Sequence, residues 1–267
     1  MRQKIPCFAA MAFIVTAAAC GGGSGQPAGT ASKPPSPAVT FQAKLDSPDV
    51  SGDFDEAQLL IEFPPGAWTP IHSHGGPGLV TVIQGQVVRR TGGTDTTYHQ
   101  GEGWTEETGN VHQVGNLTNT TALTVAGFLV PKGAVLTTPR PGTPAPPLDV
   151  IYRATWKMLS PSISGSYSEV RNVLDFAPGA WTPPHKHGGP ALIGVVEGQV
   201  TVRDSGTERT YKAGESWIEA AGNIHQAGNL SGAPARVVSN YLVPQGAAVT
   251  TVVKSIRGGS SSGFFEP

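Results

Sequence analysis

The sequence predicts an all-β protein of two tandem jelly-roll barrels, and three observations carry that expectation. The first is a duplication. Gly66-Ala67-Trp68-Thr69-Pro70-Ile71-His72-Ser73-His74-Gly75-Gly76-Pro77 returns as Gly179-Ala180-Trp181-Thr182-Pro183-Pro184-His185-Lys186-His187-Gly188-Gly189-Pro190, an offset of 113 residues (185 − 72). The offset holds without a gap to Leu129-Val130-Pro131 and Leu242-Val243-Pro244. A unit this long is a domain, since solenoid repeats run to ~20–50 residues. The second is composition: only 14% of residues are charged, while 35 Gly and 24 Pro punctuate runs rich in Thr and Val, as short strands joined by tight turns require. The third is regular spacing of those runs with no helical period between them, which indicates a sandwich or barrel; the double-sheet jelly roll is the matching architecture.

In chain order, residues 1–19 read as a signal peptide. Arg2 and Lys4 precede an apolar run of about 15 residues, short of the ~20 that span a membrane. Ala17-Ala18-Ala19-Cys20 resembles a bacterial lipobox, which makes Cys20 the candidate lipidation site and places the mature chain in the cell envelope, anchored to a membrane. Cys7 lies within the signal, so no intramolecular disulfide is expected. Residues 20–40 are a Gly/Ser/Pro-rich tether, 41–138 the first domain, 139–150 a Pro-rich linker, 151–253 the second domain and 254–267 a flexible tail. Within the first domain, strands are expected at 57–63, 78–83, 86–90, 96–98, 103–106, 111–114 and 122–130. A formal charge of −1 with interspersed signs leaves no footprint for nucleic acid, so the expected partner is a small molecule. Oligomeric state is not legible.

Six of the seven histidines fall on matched positions. His72 and His74, two apart on a strand, project to one face, and His112 joins them from a neighbouring strand; His185, His187 and His225 repeat the arrangement. Converging imidazoles suit a divalent transition metal, Fe, Mn, Cu, Ni or Zn, with up to one ion per domain.

These residues carry a family resemblance. Gly66, His72, His74 and Gly85 resemble the first cupin motif, and Gly101, Gly109, His112 and Asn116 the second; Gly179, His185, His187, Gly198, Gly214, Gly222, His225 and Asn229 meet the same pattern. The chain therefore resembles a bicupin over 41–138 and 154–251. The resemblance implies a Glu ligand seven residues before the first motif's last Gly, but Gly78 and Ala191 stand there. It thus points to three-histidine sites like those of quercetin-dioxygenase-like cupins, with room at the vacated position for a bound ligand. Such a protein would act on an enolic or phenolic small molecule; the alternative is a non-catalytic envelope module that binds a small ligand or the metal itself.

Glu106 and Glu219 also match. Each is a candidate general base or replacement ligand, although a solvent-facing strand position is the simpler expectation. Gln113 and Gln226 should point away from the third histidine as framework, Glu102 and Glu215 should belong to turns, and the repeated Trp68/Trp181, Trp104/Trp217 and Tyr98/Tyr211 should be core. Asn116 and Asn229 are expected as turn residues and His99, unmatched, as a surface residue.

Overall fold

The computed structural model describes residues 34–46, 48, 52–163 and 165–254. The expected signal peptide, Cys20, most of the expected tether and nearly all of the expected tail lie outside the described residues. Those described form twenty strands and no helix. The first repeat runs β1 (Ala38–Asp46), β2 (Phe54–Phe63), β3 (His72–His74), β4 (Gly78–Gln84), β5 (Gln86–Thr91), β6 (Thr94–His99), β7 (Gly103–Glu106), β8 (His112–Gly115), β9 (Ala122–Pro131) and β10 (Thr137–Pro139). The second runs β11 (Ile151–Met158), β12 (Tyr167–Phe176), β13 (His185–His187), β14 (Ala191–Glu197), β15 (Gln199–Asp204), β16 (Thr207–Lys212), β17 (Ser216–Glu219), β18 (His225–Gly228), β19 (Ala235–Pro244) and β20 (Thr250–Val252).

Each barrel is a pair of antiparallel five-stranded sheets. The first has the orders β11-β2-β9-β4-β7 and β10-β3-β8-β5-β6, the second β1-β12-β19-β14-β17 and β16-β15-β18-β13-β20. The leading strand of each repeat is exchanged: β1 pairs with β12 of the second barrel, and β11 pairs with β2 of the first. The segments before these strands are drawn in as well. Trp68 N donates to Leu148 O and Trp181 N to Pro35 O, both at 2.9 Å, and Val150 is buried in the first barrel's core. The end of the Pro-rich linker is therefore packed against the first barrel.

The barrels also share a core, where separate cores would follow from treating the repeats as independent. In β2, Leu59, Ile61 and Phe63 point into the first barrel, while Leu60 joins a cluster with Leu79, Val125, Trp156, Val173, Leu192, Val238 and Leu242 drawn from both barrels. Burial on both faces is why β2 carries three consecutive apolar residues, Leu59, Leu60 and Ile61, instead of alternating them. Barrel ends are closed by repeated devices. Asn116 Nδ2 donates to Phe63 O and Thr120 O while its Oδ1 accepts from Thr118, and Asn229 does the same with Phe176, Ala233 and Ser231. Trp68 lies with one face against Gly115, where a Cβ would stand 2.1 Å from the ring, and with Arg90 stacked 4.6 Å from its centroid; Trp181, Gly228 and Arg203 repeat the stack.

Candidate metal centres

In the outer sheet β3 lies between β10 and β8, and the register pairs His72 directly with His112. His72, His74 and His112 are 6%, 6% and 3% exposed, and their candidate ligand atoms lie within 4.8 Å of one another. His185, His187 and His225 form the second such group. Each Nδ1 faces an oxygen: Pro70 O at 2.7 Å for His72, Leu136 O at 3.1 Å for His74 and Asn110 O at 3.1 Å for His112. The second barrel has Pro183 O, Val249 O and Asn223 O in these places, and Thr137 and Thr250 hydroxyls add to the middle pair. A carbonyl can only accept, so each Nδ1 is the donor, and an imidazole that is neutral then presents a bare Nε2. In the first barrel two of these, on His72 and His74, stand 3.1 Å apart. Lone pairs meeting at that distance repel unless a cation lies between them, so this donor set fits a divalent transition metal.

Glu106 and Glu219 are not solvent-facing. They are 3% and 6% exposed and stand among the histidines. Glu106 Oε1 is 3.0 Å from His112 Nε2 and Oε2 is 3.3 Å from His74 Nε2; Glu219 meets His225 and His187 at 3.0 Å each. The register explains how a carboxylate reaches the centre without occupying the motif position: Gly78 pairs across the ladder with Glu106, and Ala191 with Glu219. The acidic group absent from β4 and β14 is carried on the adjacent strand, directly opposite. The indoles of Trp104 and Trp217 donate to Oε1 at 2.7 and 2.8 Å. Glu106 Oε2, buried and without a hydrogen-bond partner, is left as a free donor atom toward a metal.

The vacated position in the first barrel is not open space. A Cβ on Gly78 would stand 2.5 Å from the Phe128 ring, which packs 4.0 Å from His74 between ring centroids. An aromatic on β9 has filled the room that the sequence suggests for a ligand. Tyr241 holds the same relation to His187, at 4.6 Å. Beside the first centre remains a cavity of about 30 Å³ lined by Leu59, Val80, Trp104, Ala126 and Phe128 together with the three histidines and Glu106.

The model of the Cupin domain family matches residues 59–128 and 172–241, more than half of the chain. The chain belongs to the cupin family. It is a bicupin, and solved structures agree at the level of the fold. A variant of Bacillus subtilis oxalate decarboxylase matches with TM-score 0.53 and 12% identity over 81% of this chain and 80% of that one. Lactobacillus farciminis oxalate decarboxylase, in a formate complex, matches with TM-score 0.52 and 13% identity over 84% and 90%. Vicilin from Solanum lycopersicum matches with TM-score 0.55 and 11% identity over 73% and 76%. No curated protein matches the sequence.

In this bicupin the protonation states suit metal. Burial pushes the His74 and His185 imidazoles down to about 4 and lowers His72. Burial alone would raise the Glu106 carboxyl, but the His112 hydrogen bond and the neighbouring imidazoles hold it down to about 2; Glu219 is lowered in the same way by His187 and His225. His225 departs from its group: burial is the largest single influence and lowers it, but the Glu219 hydrogen bond and charge, the Asn223 carbonyl and the Asp204 charge together leave it raised.

The remaining sequence expectations divide by chemistry. Gln113 and Gln226 donate to Thr69 O and Thr182 O as framework, and Glu102 and Glu215 accept backbone N–H groups inside turns. Trp104 is buried against Tyr98 as a core residue, yet its indole also orients Glu106, a role that composition does not reveal. Phe128, Tyr241, Thr137 and Thr250 are further neighbours of the imidazoles that sequence reasoning misses. Thr137 and Thr250 stand on the strands paired with the histidine strands, whereas Phe128 and Tyr241 come from the other sheet of each barrel.

Proposed function

We propose that this bicupin is an exported, metal-dependent enzyme of the quercetin-dioxygenase-like kind, acting on a small molecule through an enolic or phenolic oxygen. The observation that supports the reading best is the convergence of three bare Nε2 atoms and a buried, partnerless carboxylate oxygen on an apolar cavity. A dication bound there would polarise a coordinated substrate oxygen. His72, His74 and His112 would hold it, with Glu106 as a fourth ligand or as the acceptor of the substrate's proton; His185, His187, His225 and Glu219 are the counterparts in the second barrel. Trp104 keeps the Glu106 carboxylate turned toward the centre. Leu59, Ala126 and Phe128 exclude water, which strengthens every charge interaction inside.

A cavity of about 30 Å³ has room for a few waters' worth of atoms, so the coordinating end of the substrate is what enters. Manganese is a reasonable first metal to test, since Mn(II) centres are named for Bacillus subtilis oxalate decarboxylase. Lipid attachment at Cys20 would hold the protein at a membrane, and Cys20→Ser should release it to the soluble fraction.

The test is elemental analysis of protein purified without chelator, followed by oxygen uptake with flavonols, diketones and dihydroxybenzoates. Bound metal with turnover supports the proposal. Bound metal with no turnover on any enolic or phenolic compound would favour a non-catalytic envelope module. No metal, before or after reconstitution, would overturn both.

A further inference from the structure

The two centres use the same ligands but are not surrounded by the same charges. In the first barrel Arg89 sits on β5 in the same alternation as Val87, a core residue, and its side chain is only 13% exposed. Its Nε stands 3.8 Å from Glu106 Oε1 and has no hydrogen-bond partner. The offset of 113 places Val202 at this position in the second barrel, inside an apolar core. Among the described residues Glu219 meets only His187 and His225 as potential cations. A guanidinium stays protonated in a folded protein. The first centre therefore carries one positive charge that the second lacks, in a buried site where such a charge is weakly screened.

The second barrel differs in another way. Asn172, Ser239 and Tyr241 replace Leu59, Ala126 and Phe128. This polar trio is satisfied by the protein: the Tyr241 phenol hydrogen-bonds Ser239 and Asn172, and Asn172 Oδ1 accepts from Gln42 Nε2 at 3.0 Å. It supplies no counterpart to the Arg89 charge.

We propose that Arg89, acting through Glu106, makes the two centres inequivalent: the second barrel holds its metal more tightly, and the first takes an anionic oxygen ligand, a carboxylate or enolate, on its metal. This rests on the metal-binding reading above and assigns the substrate's end to the first barrel. The cavity lined by His72, His74, His112 and Glu106 lies where that ligand would enter. The charge argument has a signature that packing does not share. One added positive charge must weaken cation binding and strengthen anion binding at the same centre.

The experiment uses two single-centre proteins, His185→Ala with His187→Ala and His72→Ala with His74→Ala, loaded with Co(II), whose visible absorption reports both occupancy and ligand exchange. Co(II) affinity is measured by chelator competition and anion affinity by titration with formate, the smallest carboxylate. The first centre should bind Co(II) about tenfold more weakly and formate about tenfold more tightly than the second. Arg89→Met should remove both differences and Arg89→Lys should keep them. Should Arg89→Met fail to fold, Val202→Arg in the second barrel carries the same test with the shifts reversed. Equal constants at the two centres, or an Arg89→Met that moves both constants in one direction or neither, would overturn the proposal while leaving metal binding intact. Absence of Co(II) uptake at both centres would overturn the metal-binding reading itself.

Discussion

The metal centres and the seam between the barrels have had the same time to diverge since the duplication, and they have done so differently. At the centres the ligands match residue for residue. At the seam they do not. Glu56 and Glu169 are matched, but Gln58 answers to Arg171 and Gly127 to Asn240. Arg171 is fully buried; it donates to Leu79 O and to Val125 O, and a Cβ on Gly127 would lie 1.9 Å from its Nη2. Gln58 reaches the equivalent Leu192 O across the same boundary. A second fit repeats the logic: the Trp156 ring lies 2.2 Å from where a Gly194 Cβ would be, and the matched residues are Ala43 and Thr81. Each metal centre must satisfy coordination within its own barrel, so identical residues recur. The seam joins two copies in one chain, so a large residue on one side can be answered by a small one on the other.

That contrast is most sharply broken at Arg171. Arg171→Gln removes the cation paired with Glu169 and leaves that buried carboxylate uncompensated, which should cost about 3–5 kcal/mol of folding stability in denaturant titrations. Adding Gly127→Asn makes the seam symmetric in residue type and should recover part of the loss. If the double variant is no better than the single, complementary fit across the seam is the wrong account of these residues.

The two regions also titrate in opposite senses. Burial first, and then the charge of Glu169, push the Glu56 carboxyl up to about 8, and burial raises Glu169 as well. With Glu56 protonated, Glu169 and Arg171 form a neutral pair. A carboxyl raised on folding gives stability that is full below its unfolded pKa of about 4.3 and is lost as pH rises toward 8. Glu106, held down to about 2, gives stability present above about 4.3 and lost as pH falls through its folded value. Because the imidazoles lowered by burial gain stability over the lower part of this range, the Glu56 contribution is read as a difference: relative to the unchanged protein, metal-free Glu56→Gln should lack a loss on the order of a few kcal/mol between pH 5 and pH 8. A slope unchanged by Glu56→Gln would place the proton elsewhere.

Gly78→Glu tests the transfer of the carboxylate from β4 to β7. A carboxylate restored at the family's usual position should add a ligand only if space exists, and Phe128 occupies it. The expected outcome is a loss of about 1–3 kcal/mol from overpacking, with no gain in metal affinity. Phe128→Ala in the same chain should make the new side chain tolerable. Tighter metal binding by the single variant would show that the Phe128 ring yields.

Much of this was legible before the structure, for physical reasons that also mark the limit. Glycine turns such as Gly85, at φ +71°, punctuate the chain so sharply that the strand map follows. The histidine pairs carry their own period of two. Glu106 was the informative failure: a charged residue ending a short strand looks solvated, yet Trp104, two residues earlier, is buried and period two puts both on one face. The exchange of β1 and β11 could not be read at all. Both strands sit at the same offset, so pairing within a barrel and pairing across barrels leave identical sequence patterns.

The smallest expected effect separates the barrels at their aromatics. In the second barrel Tyr241, 5% exposed, hydrogen-bonds Ser239 and Asn172; in the first, Phe128 has Ala126 and Leu59 in the corresponding places. Tyr241→Phe removes a hydroxyl whose partners can bond each other, since Asn172 and Ser239 are cross-strand neighbours, so the loss should be about 0.5–1.5 kcal/mol. Phe128→Tyr buries a hydroxyl among apolar walls and should cost more, about 1–3 kcal/mol. Supplying Leu59→Asn and Ala126→Ser together with it should bring that cost down, because the phenol then gains the acceptor and donor it has in the second barrel. Equal costs for the two single exchanges, read from denaturant midpoints, would mean that the first barrel already offers a partner to a hydroxyl at position 128, and the distinction between an apolar and a polar wall would fall with it.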